Sequence, residues 1–164
     1  MTYYIIIRGP LGCGKSTIAK ELSKILEAKC FLIDEVVDKH KLFKDKEEGY
    51  ISQNSFIKAN EIIVPEAKKI LNKGTPVIFD GNFYWKSQIE DLVKRLKYPH
   101  RIFTLKAPLK VCIDRDKKRE KALGKDAARV VYKKTTEFDY GTIIDITTPL
   151  NECVKEIIYH LPKK

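Results

Sequence analysis

Residues Gly9-Pro10-Leu11-Gly12-Cys13-Gly14-Lys15-Ser16 satisfy the pattern GxxxxGK[ST] in full. Each residue type has a task against a polyphosphate. Gly9, Gly12 and Gly14 let backbone N–H groups approach phosphate oxygens that side chains would obstruct. Lys15 brings a point charge that can reach the β- and γ-phosphates, and the Ser16 hydroxyl is a hard oxygen ligand suited to Mg²⁺. Leu11, Cys13 and Thr17 complete the stretch expected around the phosphates of a nucleoside triphosphate. Cys13 reads as a passive loop residue, although a helix N-terminus can lower a thiol pKa.

Two carboxylates follow apolar runs. Asp80 closes Pro76-Val77-Ile78-Phe79, and can hold Mg²⁺ as the second acidic arm of such a site. A turn-forming Asp before Gly81 fits the same residues. Asp34 closes Cys30-Phe31-Leu32-Ile33, where a base could take a proton from an acceptor hydroxyl or orient it. An N-cap also fits Asp34, and the neighbouring Glu35 could be the base instead. Arg115 and Arg119 stand four apart and share a helix face. Such a pair could grip a moving phosphoryl group, with one arginine stacking on a base. A solvated charged helix explains the pattern equally well.

These groups need elements to hold them. Residues 3–8 read as a buried strand and residues 17–28 as a helix, so the glycine loop joins a strand to a helix N-terminus, which suits a phosphate. Further strands are expected at 30–33, 75–79, 101–105 and 142–146. The stretch 35–50 is charged and weakly periodic. A helix over 52–72 contains Pro65, where a kink is expected, and Gly74 ends it. Ser87 with Glu90 suggests a capping box for the next helix. Pro108 suits the first turn of another, Gly124 breaks it, and a short helix near 126–137 follows. Thr148 is expected to cap, and Pro149 to open, the last helix. Five β–α alternations predict an α/β fold with a parallel sheet covered on both faces. Ligands of such sheets bind beyond the carboxyl ends of the strands, which would gather the loop, Asp34 and Asp80 at one edge.

Composition sets the bounds. The 164 residues suit one domain over 1–164, and 43% hydrophobic content can fill its core. No run approaches the roughly 20 apolar residues of a membrane span. The four cysteines lack CxxC spacing, which argues against disulfides and zinc and for a reducing cytoplasm. The net charge of +10, from 32 basic and 22 acidic side chains, favours anionic substrates. It permits nucleic acid as well, but the lysines are spread along the chain, as on a solvated surface.

With these motifs in hand, the chain resembles the small P-loop kinases of the nucleoside-monophosphate-kinase-like superfamily. It is most similar to the subgroup of polynucleotide kinase domains, adenylylsulfate kinase, gluconate kinase and chloramphenicol phosphotransferase. The resemblance rests on Gly9–Ser16, Phe31-Leu32-Ile33-Asp34, Val77-Ile78-Phe79-Asp80-Gly81 and the segment from Ala107 to Asp116. It implies a three-layer fold, strand order 2-3-1-4-5, a short helical lid over about 108–126, and lid arginines at Arg115 and Arg119. It implies an adenine site near Arg115 and the Thr147-Thr148-Pro149 loop. The expected activity is transfer of the γ-phosphate of Mg·ATP to an acceptor hydroxyl on a small molecule or nucleotide. An NTPase switch, and a nucleic-acid 5′-hydroxyl kinase or binding module, are the alternatives. Residues 35–60, with Lys39, His40, Lys41 and Gln53, are expected to shape the acceptor pocket. The stretch after Asp34 matches no acceptor motif, so it names no acceptor. The chain is expected to be a monomer or homodimer without a membrane partner.

Overall fold

The computed structural model describes residues 2–118 and 125–162. Five parallel strands form one sheet: β1 (Tyr4–Arg8), β2 (Lys29–Leu32), β5 (Val77–Asp80), β6 (His100–Lys106) and β7 (Thr142–Asp145). Their order is β2-β5-β1-β6-β7, which is the expected 2-3-1-4-5 when the sheet strands are counted along the chain. A two-stranded antiparallel hairpin, β3 (Lys46–Glu47) with β4 (Tyr50–Ile51), stands apart from the sheet.

The strand pleat divides the core. Successive side chains point to opposite faces, so Tyr4 and Ile6 join one apolar cluster while Ile5 and Ile7 join the other. β5 repeats the division, with Val77 and Phe79 against Ile78. The first face is covered by α2 (Ile33–Lys39), α3 (Gln53–Asn72) and α4 (Lys86–Leu96) through residues such as Val37, Phe56, Ile63 and Leu92. The second is covered by α1 (Lys15–Leu26), α5 (Leu109–Lys117) and α7 (Leu150–Tyr159) through Ile18, Leu22, Cys112, Cys153 and Ile157. The remaining helix, α6 (Lys125–Thr135), leads back toward β7.

Several local expectations are corrected. β2 stops at Leu32, and Ile33 already begins α2, so Asp34 and Glu35 lie in a helical first turn rather than at a strand end. Carboxylates there face the positive end of the helix. The weakly periodic stretch 35–50 folds into α2, a 3₁₀ turn (Leu42–Lys44) and the hairpin. The Ser87–Glu90 capping box does not form. α4 starts at Lys86 without a side-chain cap, and the Ser87 hydroxyl donates to Gln53 Oε1 at 2.5 Å. Pro108 and Pro149 precede α5 and α7 as their N-caps instead of opening them, and Thr148 Oγ1 donates to the Asp145 carbonyl at 3.0 Å. As expected, α3 contains Pro65. Pro65 and Glu61 are both exposed, so the carbonyl that loses its helical partner faces water. Ser52 caps this helix by accepting from the Ser55 N–H.

Candidate active site

The loop between β1 and α1 holds its shape through backbone that only glycine adopts cheaply. Gly12 has φ +74° and Gly14 φ +98°. A Cβ on Gly12 would run into the Cys112 carbonyl of α5, so the glycine also permits close packing of that helix on the loop. Gly14 is the N-cap of α1 and offers no side-chain cap, and the first turn carries no acidic residue. The first N–H groups of α1 are therefore available to an anion.

Lys15 is buried, and its Nζ donates to the Pro10 carbonyl at 2.8 Å. Ser16 Oγ donates to Asp80 Oδ2 at 2.9 Å. Parallel pairing sets this contact: Ile7 is in register with Asp80, so the end of β5 lies beside the start of the loop. Burial raises the Asp80 carboxyl above its ordinary range, and nearby Asp34 adds to the rise. Lys15 and the Ser16 hydrogen bond pull the other way. The Cys13 thiol is also raised by burial, against the lowering effect of Lys15, as befits a passive loop residue. All four cysteines are free.

A cleft of about 480 Å³ opens over these groups. Its floor is the continuous run Leu11–Ile18, with Asp80, Asp34 and Glu35 on one side. Arg115, Ile146, Thr148, Leu150 and Cys153 form the other side. Arg115 joins that wall to the floor. Its Nη1 donates to the Cys13 carbonyl at 3.0 Å and its Nη2 to the Ile146 carbonyl at 2.8 Å. A flat guanidinium held among aliphatic side chains is a suitable platform for a nucleobase.

Nearly every predicted site residue converges here. Leu11, Gly12, Cys13, Gly14, Lys15, Ser16, Thr17, Asp34, Asp80, Arg115 and Thr148 all line the cleft. Gly9 lies under the loop against Cys13 and Leu105, and Pro149 caps α7 behind Thr148. Arg119 lies outside the described residues, as does Gly124. Within 35–60, Glu35 alone reaches the cleft wall. Lys39, His40 and Lys41 are exposed at the far end of α2, and Gln53 is bound to Glu47 and Ser87.

The donor set fits a magnesium ion. One carboxylate and one hydroxyl are hard oxygen donors, and Mg²⁺ typically takes few protein ligands alongside substrate phosphates and water. Among the described residues no group of three or more His, Cys, Asp or Glu side chains could hold a metal on its own.

Residues 5–138 match a family model described as an AAA domain. The chain belongs to this AAA domain family. None of the curated proteins matches it in sequence. Among solved structures, a sugar kinase from Janibacter sp. HTCC2649 superposes with a TM-score of 0.79 at 15% identity, covering 97% of this chain and 94% of that one. A gluconokinase from Sinorhizobium meliloti 1021 gives 0.73 at 15% identity, over 95% and 89%. The deoxyadenosine kinase of M. mycoides gives 0.54 at 20% identity, over 95% and 96%. This AAA domain thus shares its fold with the gluconokinase and sugar kinase structures.

Two features of this AAA domain were not anticipated as parts of a site. Arg8, read only as the end of a strand, is completely buried beneath the loop. Lys134 is also buried, with its Nζ 3.8 Å from the Trp85 ring centre and 5.5 Å from that of Tyr50. A basic residue ending an otherwise apolar strand was a signal for the first. Of the second, only the ion pair with Glu137 at 3.2 Å is local; its ring partners lie far away in sequence. No helix among the described residues is long and apolar enough to cross a membrane.

Proposed function

We propose that this protein is a Mg·ATP-dependent phosphotransferase that moves the γ-phosphate to a hydroxyl on a small molecule or nucleotide. The observation that carries this reading is the Ser16–Asp80 pair beside Lys15, lining the same cleft as Asp34 and Glu35. A kinase must bind phosphates at one end of its cleft and activate an acceptor at the other. This cleft carries both kinds of group in its lining.

The loop amides and the N-terminus of α1 hold the phosphate chain, with Lys15 released from the Pro10 carbonyl to the β- and γ-oxygens. Ser16 and Asp80 would hold Mg²⁺, which when bound neutralises charge on those oxygens. Arg115 supports the base and, with Arg119, the charge of the moving phosphoryl group. Asp34, or Glu35 next to it, accepts or orients the proton of the attacking hydroxyl. Most of the task is positioning and electrostatic stabilisation, as phosphoryl transfer generally requires. The acceptor is a small molecule rather than a nucleic acid, the chain acts as a monomer or homodimer, and its free thiols suit a reducing cytoplasm.

A γ-labelled ATP transfer screen over nucleosides, sugars, small alcohols and 5′-hydroxyl oligonucleotides tests this, with and without EDTA. Metal-dependent label in one small-molecule class is the expected result. Label only in inorganic phosphate would make the protein an NTPase. Label in oligonucleotides, with binding that falls steeply with salt, would make it a nucleic-acid kinase.

A further inference from the structure

Arg8 immediately precedes the first glycine of the phosphate loop and is fully buried. Its guanidinium is used in every direction. Nε donates to the Phe83 carbonyl at 3.2 Å, and Nη1 to Thr104 Oγ1 at 3.1 Å and the Phe138 carbonyl at 3.2 Å. Nη2 donates to the Thr135 carbonyl at 2.9 Å, and the carbon of the guanidinium lies 4.3 Å from the Phe138 ring centre. Burial lowers its pKa to about 10, partly opposed by Asp139, so it stays charged at neutral pH. One side chain thereby joins the root of the loop, the connection after Asp80, the centre of β6 and the exit of α6. Only a planar fork with five donors can satisfy such a divergent set.

The contacts continue beyond α6. The Val130 carbonyl accepts from Tyr50 Oη at 3.2 Å, and Lys134 Nζ reaches Glu48 at 3.5 Å. Both partners lie on the β3–β4 hairpin. Trp85, which carries the Lys134 ammonium on its ring, donates from Nε1 to the Ile51 carbonyl at 2.7 Å. Thr104 strengthens the Arg8 end: its hydroxyl donates to the Tyr140 carbonyl at 2.6 Å and accepts from the Tyr140 N–H at 3.1 Å. Charged hydrogen bonds and packed rings thus run without a gap from Gly9 to residues 48–51. Spatial continuity is a candidate route for coupling, and a measured coupling is what establishes one.

We propose that Arg8 is a positioning residue that transmits occupancy of the phosphate loop to α6 and to the β3–β4 hairpin it carries. The proposal rests on the nucleotide-binding reading above. Ligand oxygens drawing on the loop amides set the end of β1, and Arg8 moves with it. The Thr135 and Phe138 carbonyls follow, and α6 and the hairpin tighten with them. Arg8 touches no substrate in this scheme.

Hydrogen exchange of the whole protein with and without Mg²⁺ and a non-hydrolysable ATP analogue tests it. In the wild type, peptides covering 9–17, 126–138 and 45–53 are expected to exchange at least about fivefold more slowly with nucleotide. Arg8→Lys, which keeps the charge but loses the fork, is expected to retain protection at 9–17 and lose it at the other two. Loop protection alone in the wild type, or full protection of all three regions in Arg8→Lys, would overturn the proposal and leave nucleotide binding standing. No protection of 9–17 in the wild type would remove the nucleotide reading and this inference with it. Should Arg8→Lys fail to fold, Thr104→Val takes its place, since it removes one Arg8 acceptor and both Tyr140 bonds. Undiminished protection of 126–138 and 45–53 in that variant counts against the proposal.

Discussion

The Ser16 hydroxyl donates a 2.9 Å hydrogen bond to Asp80 Oδ2 across a sequence separation of 64 residues. The pair exists because β1 and β5 are parallel neighbours whose carboxyl ends coincide. It places the loop hydroxyl and the strand-end carboxylate within reach of one cation. The Asp80 carboxyl is buried, with its pKa raised by that burial.

Asp80→Asn is therefore expected to separate stability from function. A carboxyl whose folded pKa lies above its unfolded value favours folding below the unfolded pKa, and that advantage is lost as pH rises through the folded pKa. At neutral pH the ionised Asp80 opposes folding, so the amide should raise the thermal midpoint of the metal-free protein. The gain should shrink as pH falls toward the ordinary carboxylate range near ~3.9. Mg²⁺-dependent nucleotide affinity should fall on the order of 10- to 100-fold. In the wild type that affinity should decline on acidification at a higher pH than an ordinary Asp would produce. Calorimetric titrations of Mg·ATP from pH 4 to 8, with melting curves alongside, would read both effects. An unchanged Mg²⁺ requirement in the variant would rule out Asp80 as a ligand.

Lys15→Ala removes the buried ammonium that now rests on the Pro10 carbonyl. Losing a charged hydrogen-bonding group typically costs about 1.5–3 kcal/mol, so ATP affinity should drop by about 10- to 100-fold. Because Lys15 also lowers the Asp80 pKa, the acid limb of Mg²⁺ binding should shift to higher pH. Fluorescent nucleotide titrations would measure both. An alanine variant with native affinity would exclude phosphate contact by Lys15.

Asp34→Asn and Glu35→Gln distinguish the two candidate bases. Both carboxylates line the cleft from the first turn of α2. The variant that loses the base should bind Mg·ATP normally and transfer phosphate about 10²- to 10⁴-fold more slowly, the usual span of general base catalysis. The other should remain near the wild-type rate. Single-turnover transfer to the acceptor found by screening is the measurement. Two fully active variants would mean that neither carboxylate activates the acceptor.

Gln88 is completely buried in α4, and neither its Oε1 nor its Nε2 has a partner among the described residues. Leaving buried polar groups unpaired costs about 1–3 kcal/mol, so Gln88→Leu should stabilise the fold by a similar amount. Urea denaturation would show a higher midpoint at an unchanged slope. A loss of stability would mean that the amide is satisfied in solution.

Much of the site was legible because its residues are contiguous or punctuate an apolar run. The loop from Gly9 to Ser16 announces itself, and Val77-Ile78-Phe79-Asp80 shows a carboxylate at the end of a buried strand. Asp34 was found by the same logic for a partly wrong reason. Its apolar run ends in a helical turn rather than a strand, since Ile33 supplies the first residue of α2. The short hairpin was invisible because two residues per strand carry no periodicity. The Ser87–Glu90 pattern misled because Ser87 found a tertiary partner in Gln53. A local cap competes poorly when a distant side chain offers the hydroxyl a better bond.

From the sequence alone follow the phosphate loop, the alternation of strands and helices, and the residue types that can handle phosphate, metal and a hydroxyl proton. These are local, set by neighbours along the chain. Which of them meet was decided by the tertiary structure. Parallel register brings Ser16 to Asp80, the packing of α5 brings Arg115 to Cys13 and Ile146, and burial makes Arg8 a bridge to α6. Such contacts join residues from 31 to 130 positions apart. Their energies depend on which carbonyl, ring or carboxylate the fold delivers, and on how little water accompanies it.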